Sequence, residues 1–221
     1  MAQPPDSQKS LVLSYLQLRK AVGIIGVALP LVLALGNLAL HGCGVQDSMS
    51  AYYYTGMRNV FVGSMWAIGV FMFSTKGYDR WDEVAGIFAS IFAIGVSLFP
   101  TTPSGCTTCR QKSIGDVHLA CAALLFLTLA CMSIRLFTKT APGGSPTPQK
   151  LWRNRIYRVC GCVIIACVAL CAVVKLPHIR PVVEGFKPTF WLESLAVVAF
   201  GLSWLVKGET ILKDQDLPAQ S

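Results

Sequence analysis

Four ionisable residues stand within or beside long apolar stretches of the sequence, where polar side chains are few. They are Arg58, Asp116, His118 and Glu193. An ionisable side chain inside a membrane is energetically expensive, and such positions are functional candidates by default. A histidine together with carboxylates can ligate a metal ion or bind a lipid head group, and Arg58 could pair with either carboxylate. The sequence therefore predicts a polar ligand pocket built from these four residues.

A structural interpretation of the same four residues stays open. Polar side chains are ordinary at the ends of membrane helices, where they contact water and lipid head groups. The sequence contains no G-x-S-x-G, no P-loop and no G-x-G-x-x-G motif, so it assigns no catalytic residue.

The three histidines, His41, His118 and His178, are candidates for a metal site. They lie on three different segments, and none has the spacing that puts two imidazoles on one helix face. A zinc site therefore requires that the fold brings those segments together.

Cysteines in the polar connections are candidates for a disulfide, namely Cys43, Cys106 and Cys109. Most of the other cysteines lie in apolar runs, where cysteine packs as a small hydrophobic residue. A bridge from Cys43 would close a loop of roughly sixty residues and stabilise the fold by ~4 kcal/mol in the chain-entropy model. In an oxidising compartment we expect that bridge, with Cys106 preferred over Cys109 as partner. A Cys106–Cys109 bridge, redox chemistry at this pair and free thiols are the alternatives.

The composition shows which class of protein must position these residues. Of 221 residues, 53% are hydrophobic and only 14% are charged, against about 25% charged in soluble domains. This balance excludes a typical soluble enzyme, a disordered chain and a small disulfide scaffold. The net charge of +8 is spread between apolar runs, whereas nucleic-acid binders cluster it on one face. We therefore expect membrane lipids as partners and no nucleic acid.

Six apolar runs predict an all-α polytopic membrane protein, a bundle of six transmembrane helices. Each run has about 17–21 residues, the length at which a helix crosses a hydrocarbon core of ~30 Å. Backbone groups in lipid must be satisfied within their own segment, which makes these runs helices. The predicted domains are a cytoplasmic segment 1–20, a membrane domain 21–206 and a cytoplasmic tail 207–221. The runs are 21–40, 57–74, 84–100, 117–137, 159–176 and 190–206.

Lysine and arginine placement predicts the orientation, because cytoplasmic loops carry an excess of both. Thirteen of the 19 fall on the side of the two termini and six on the other side. Both termini are therefore expected in the cytoplasm, with outer loops at about 41–56, 101–116 and 177–189. All three histidines then lie near the outer face. The basic, aromatic stretch 152–158 is expected to contact anionic lipid of the inner leaflet.

The segment from Asp116 to Phe126, DVHLACAALLF, resembles the six-helix membrane proteins of the DRAM/Sfk type and related bacterial membrane proteins of unknown function. Those proteins carry a histidine near the start of the fourth helix, followed by small residues and a phenylalanine. Their helix number and size match the whole chain. The resemblance implies membrane residence and lipid-related roles, without an agreed reaction.

A second resemblance is to membrane hydrolases of the alkaline ceramidase type, which hold zinc with a serine, an aspartate and three histidines. Ser50, Asp116 and the three histidines are similar to that set. The chain departs from it by one missing helix. It also lacks the paired histidines of the last helix, where Glu193 stands instead.

The sequence thus predicts an integral membrane protein with a polar pocket in the outer leaflet that binds a lipid or small ligand. A zinc-dependent lipid hydrolase of the amidase type is the alternative, and zinc is a cofactor under that alternative alone. A small transporter or channel is a third interpretation, although only Pro30 interrupts a run. Short loops and the bacterial resemblance favour a bacterial inner membrane. Whether the chain is an enzyme is left open.

Overall fold

The computed structural model describes residues 6–42, 44–75, 79–103, 105, 108–140 and 146–208, without the side chains of residues 6–14 and 41. In these residues the fold is all-α, as predicted. Long apolar runs form helices here because an α-helix satisfies its backbone hydrogen bonds internally. The α-helices are α1 (Asp6–His41), α2 (Arg58–Phe73), α3 (Arg80–Leu98), α4 (Cys109–Cys131), α5 (Pro148–Val174), the short α6 (Arg180–Val183) and α7 (Pro188–Lys207).

Shorter helical turns connect or extend these helices. A 3₁₀ turn spans Ser50–Tyr54 between α1 and α2, and another spans Glu184–Phe186 between α6 and α7. A π-helical turn, Met132–Leu136, continues α4. Its last bond runs from the Phe137 N–H to the Met132 carbonyl at 2.9 Å.

The six long helices form a closed ring. Each packs against its neighbour in sequence, and α7 packs against both α5 and α1. The α1–α7 contact is close because both helices present glycine there. A Cβ added at Gly201 would lie only 2.7 Å from the Gly23 carbonyl oxygen and from the Val27 nitrogen. Helices α1 and α7 therefore close the ring through a contact at glycine positions, where no side chain keeps the two backbones apart.

Five of the helices are long and apolar enough to cross a membrane, namely α1, α3, α4 with its π-helical turn, α5 and α7. The sixth, α2, is apolar but has 16 residues, or about 24 Å of helix. Large apolar side chains such as Leu35, Phe73 and Ile91 are exposed on the outside of the bundle. A protein in water rarely exposes so much apolar surface, and this surface supports membrane residence.

The helices are longer than the predicted apolar runs, because polar residues next to the runs also adopt the helical conformation. The predicted fourth run begins at 117, whereas α4 begins at Cys109, after the Thr108 hydroxyl accepts the Gln111 N–H at 3.4 Å. Asp116, expected in an outer loop, consequently lies about two turns inside α4. The loop predicted at 177–189 likewise contains α6 and a 3₁₀ turn.

At the opposite end of the bundle from the Ser50–Tyr54 turn, α3 is capped by Asp79. Its carboxylate accepts the Trp81 N–H at 3.0 Å and the Asp82 N–H at 3.3 Å. Lys139, just beyond α4, donates to Asp79 at 2.9 Å and to Asp82 at 3.3 Å. The hydrogen bond from Lys139 holds the pKa of Asp79 below its usual value. This contact ties the start of α3 to the end of α4.

Candidate functional site

The connection between α1 and α2, the 44–57 loop, folds over one end of the ring. Asn37 of α1 donates to the Gly44 carbonyl at 3.1 Å, and the Lys187 ammonium donates to the Val45 carbonyl. Tyr52 is fully buried, with its ring centroid 6.1 Å from that of Phe190. Burial raises the pKa of the Tyr52 hydroxyl. The loop is therefore held by both α1 and the start of α7.

His118 connects this loop to α3. It is 4% exposed, and its Nδ1 lies 2.6 Å from the Phe99 carbonyl oxygen and 3.2 Å from that of Val96. Carbonyls only accept, so the proton is assigned to Nδ1. Nε2 is then an acceptor, and it lies 2.9 Å from the Ser50 hydroxyl, which donates to it.

Local structure explains why His118 reaches those carbonyls. Val96 and Phe99 lie at the C-terminal end of α3, where the last carbonyls of a helix lack intrahelical partners. The first turns of α4 approach the α3–α4 connection closely at Gly115, where a Cβ would overlap the Thr102 hydroxyl. One turn further on, His118 therefore faces the end of α3.

Glu193 connects the same loop to α7. Its carboxylate accepts the Met49 N–H at 2.7 Å. That N–H lies at the start of the 3₁₀ turn, where a helical turn leaves donors unsatisfied. His118 and Glu193 thus hold adjacent residues of the loop, since His118 accepts from the Ser50 hydroxyl and Glu193 accepts from the Met49 N–H.

A cavity opens inside the ring beside Ser50 and Glu193. Its empty volume is about 560 Å³, the open space at its mouth included. Among the described residues that line it, Ser50 and Glu193 are the two with polar side chains. The apolar lining comes from five helices, α1, α2, α3, α4 and α7, and from the loop. It consists of Leu29, Met49, Phe61, Met65, Ile68, Val96, Ala122, Leu125, Phe126, Leu129, Val197 and Phe200.

The other predicted site residues lie away from the cavity. Arg58 is exposed, donates to the Tyr53 hydroxyl at 2.5 Å and stacks over that ring at 4.1 Å. Asp116 lies on the exposed face of α4, and His178 lies in the exposed turn between α5 and α6. The structure therefore brings His118 and Glu193 to the same turn of the loop, with Glu193 lining the cavity, and places Arg58 and Asp116 elsewhere.

Ser50 was not among the predicted pocket residues, and only the resemblance to the hydrolases pointed to it. Its role depends on a tertiary contact to His118, 68 positions along the chain. A serine beside a tyrosine run has no pattern that predicts such a contact. The sequence feature that could have indicated Ser50 is the polar loop that contains it, because this loop is predicted at the same end of the bundle as His118 and Glu193.

Within the part of the chain that the structure describes, no three His, Cys, Asp or Glu side chains are grouped as a metal site. The His41 side chain, Cys43 and Cys106 lie outside the described residues. Cys109 is an exposed free thiol at the start of α4. The Cys43 bridge stays a prediction.

Comparisons with family models, with curated proteins and with solved structures find no match for this chain. Function is therefore inferred from the geometry of the cavity and from its hydrogen bonds.

Proposed function

We propose that this protein binds an amphiphile, a lipid or lipid-like small molecule, in the cavity inside its ring of helices. The observation that carries the proposal is the distribution of polarity along the cavity wall. Ser50 and Glu193 supply polar groups beside the 44–57 loop, and the rest of the wall is apolar. Ligand cavities typically have mostly apolar linings with a few polar groups that fix orientation. A ligand with one polar end and an apolar body matches this wall.

We also propose that all six long helices cross the membrane, with both termini in the cytoplasm of a bacterial inner membrane. In the ring, α2 packs against α1 and α3, which are themselves long enough to span. A helix of about 24 Å can span by local thinning of the bilayer. The cavity's polar end then faces the outer leaflet.

Reporter fusions test this topology. A reporter that is active only outside the cytoplasm should be active when it is joined after Gly105. The same reporter should be inactive when it is joined after Thr140, because that position is expected in the cytoplasm. An externally active reporter after Thr140 would contradict the proposed orientation.

Binding can be tested with a photoactivatable long-chain alcohol and the purified protein in nanodiscs. Ala122 lines the cavity, so Ala122→Phe should fill part of it and reduce crosslinking at least fivefold. Ala120, on the exposed side of the same helix, provides the matched control Ala120→Phe. Equal crosslinking of the wild type and a folded Ala122→Phe variant would contradict binding in this cavity.

Hydrolysis of an acyl ester is a second candidate function, favoured by the hydrogen bond between Ser50 and His118. A serine bonded to a histidine that a third group orients is the arrangement of an activated nucleophile. Ser50 Oγ would attack the ester carbonyl while Nε2 takes its proton, and the leaving alcohol would then receive that proton. Water, with His118 as base, would release the acid. The negative end of the α3 dipole would stabilise the imidazolium.

An alkyl fluorophosphonate tests this second candidate, because it phosphonylates activated serines. Mass spectrometry should find the adduct on Ser50 and not in His118→Ala. Absence of an adduct under conditions that label a serine hydrolase would exclude it. Stoichiometric zinc in the purified protein would instead favour the metal-dependent hydrolase.

A further inference from the structure

We infer that the cavity selects amphiphiles whose polar end is a protonated amine. The inference rests on the proposed function, since it names the chemical class of the ligand for the same cavity. Glu193 carries it together with the directions of the hydrogen bonds around Ser50.

Charge is the first argument. Glu193 is the one ionisable side chain among the described residues that line the cavity. A charge surrounded by apolar groups is costly unless it is paired. The ion pairs in the described part of the chain join other residues. Lys175, exposed beyond the end of α5, attracts the carboxylate only at longer range. A cationic ligand would pair with Glu193 directly.

Hydrogen-bond direction is the second argument, and at Ser50 it does not depend on charge. The carbonyls of Val96 and Phe99 fix the proton of His118 on Nδ1, so Nε2 takes the single proton of the Ser50 hydroxyl. Ser50 can then offer a ligand only the lone pairs of its oxygen. The ionised Glu193 carboxylate only accepts as well, so both polar side chains of the cavity wall then accept hydrogen bonds from a ligand.

Capacity is the third argument. A carboxylate has about four acceptor positions, and the backbone N–H of Met49 occupies one. Positions remain for a ligand that donates. An alkylammonium head supplies three donors and the opposite charge. A long-chain alcohol supplies one donor, and an ionised fatty acid supplies none and is repelled by Glu193.

Three amphiphiles of equal chain length provide the test, namely dodecylamine, dodecanol and dodecanoate. Each competes with the photoactivatable alcohol for the wild-type protein in nanodiscs of zwitterionic lipid. Competition that persists in Ala122→Phe is subtracted, because it reports partition into the bilayer. We expect dodecylamine to compete at a concentration at least tenfold below dodecanol, and dodecanoate to compete least.

Glu193→Gln removes the charge and keeps an oxygen that can accept the Met49 N–H. It should lower the affinity for dodecylamine at least tenfold and change that for dodecanol less than threefold. Asp116→Asn, at an exposed acid on α4, is the matched control and should leave all three affinities unchanged. If the Glu193→Gln variant does not fold, the order in which the three amphiphiles compete for the wild type decides whether the cavity prefers the amine.

The outcomes separate this inference from the proposed function. Equal competition by the three amphiphiles, or an amine preference that survives in Glu193→Gln, would overturn the amine selectivity and leave amphiphile binding intact. If none of them competes and Ala122→Phe crosslinks like the wild type, the proposed function and this inference both fail.

Discussion

Ser50 sets the polarity of the site because its one proton is committed to His118. The bonds run in a single direction, from Ser50 Oγ to Nε2 and from Nδ1 to the end of α3. Each buried member has its partner, as buried polar groups require. Removing His118 would leave the Ser50 hydroxyl and the α3 carbonyls without that partner.

His118→Ala should therefore destabilise the protein by about 1–3 kcal/mol for each buried group left unsatisfied. Thermal unfolding in detergent measures the loss as a lower Tm. His178→Ala is the control, because His178 is exposed and surface substitutions usually stay within ±0.5 kcal/mol. A Tm equal to wild type for His118→Ala would show that the described hydrogen bonds do not stabilise the fold.

Helix ends are joined to each other by polar contacts at both ends of the bundle. At the end opposite the cavity, Asp79 caps α3 and binds Lys139 from beyond α4. Because its pKa is lowered in the fold, ionised Asp79 contributes stability above the ordinary pKa of aspartate, near 3.9. That contribution is lost as the pH falls through the lowered pKa.

The variant Asp79→Asn isolates this effect, since asparagine also caps helices. We expect wild type to have the higher Tm at pH 6, and the difference should shrink as the pH falls below about 4. Parallel melting curves of both proteins between pH 6 and pH 2.5 measure it. A difference that stays constant over this range would mean that the charge of Asp79 does not stabilise the fold.

The α1–α7 contact depends on the absence of a side chain at Gly201. Gly201→Leu should destabilise the ring by about 1–3 kcal/mol or more, because overpacking displaces backbone that cannot move freely. Gly63→Leu is the matched control, since no atom lies within 4 Å of a Cβ added there. Unfolding of both variants in detergent compares them, and equal stability would contradict the close approach.

Considered as a whole, the described chain is a ring of six long helices that a loop closes at one end. A disulfide from Cys43 would add a covalent tie at that end. If the protein faces an oxidising compartment, non-reduced peptides should contain Cys43 linked to Cys106 in preference to Cys109. Recovery of all three cysteines as alkylated free thiols from native membranes would refute this expectation.

The apolar runs predicted the helices because length and hydropathy alone decide whether a segment can satisfy its backbone in lipid. The sequence did not show in the same way which face of each helix points into the bundle. In a bundle with apolar side chains on every face, hydropathy does not distinguish the side of Asp116 from the side of His118. The pairing of Glu193 with the Met49 N–H was also hidden, because any residue other than proline at position 49 could supply such a donor.

The bond between Glu193 and Met49 also sets an order of events during synthesis. The two residues are 144 positions apart, so the ribosome needs roughly 7–30 s to pass from one to the other at ~5–20 residues per second. For most of that interval α1, α2 and the 44–57 loop have been synthesised while the carboxylate that accepts the Met49 N–H does not yet exist. The ring can close only after α7 has been synthesised. A nascent chain stopped before α7 would therefore leave the cavity open on one side and the Met49 N–H without its carboxylate acceptor.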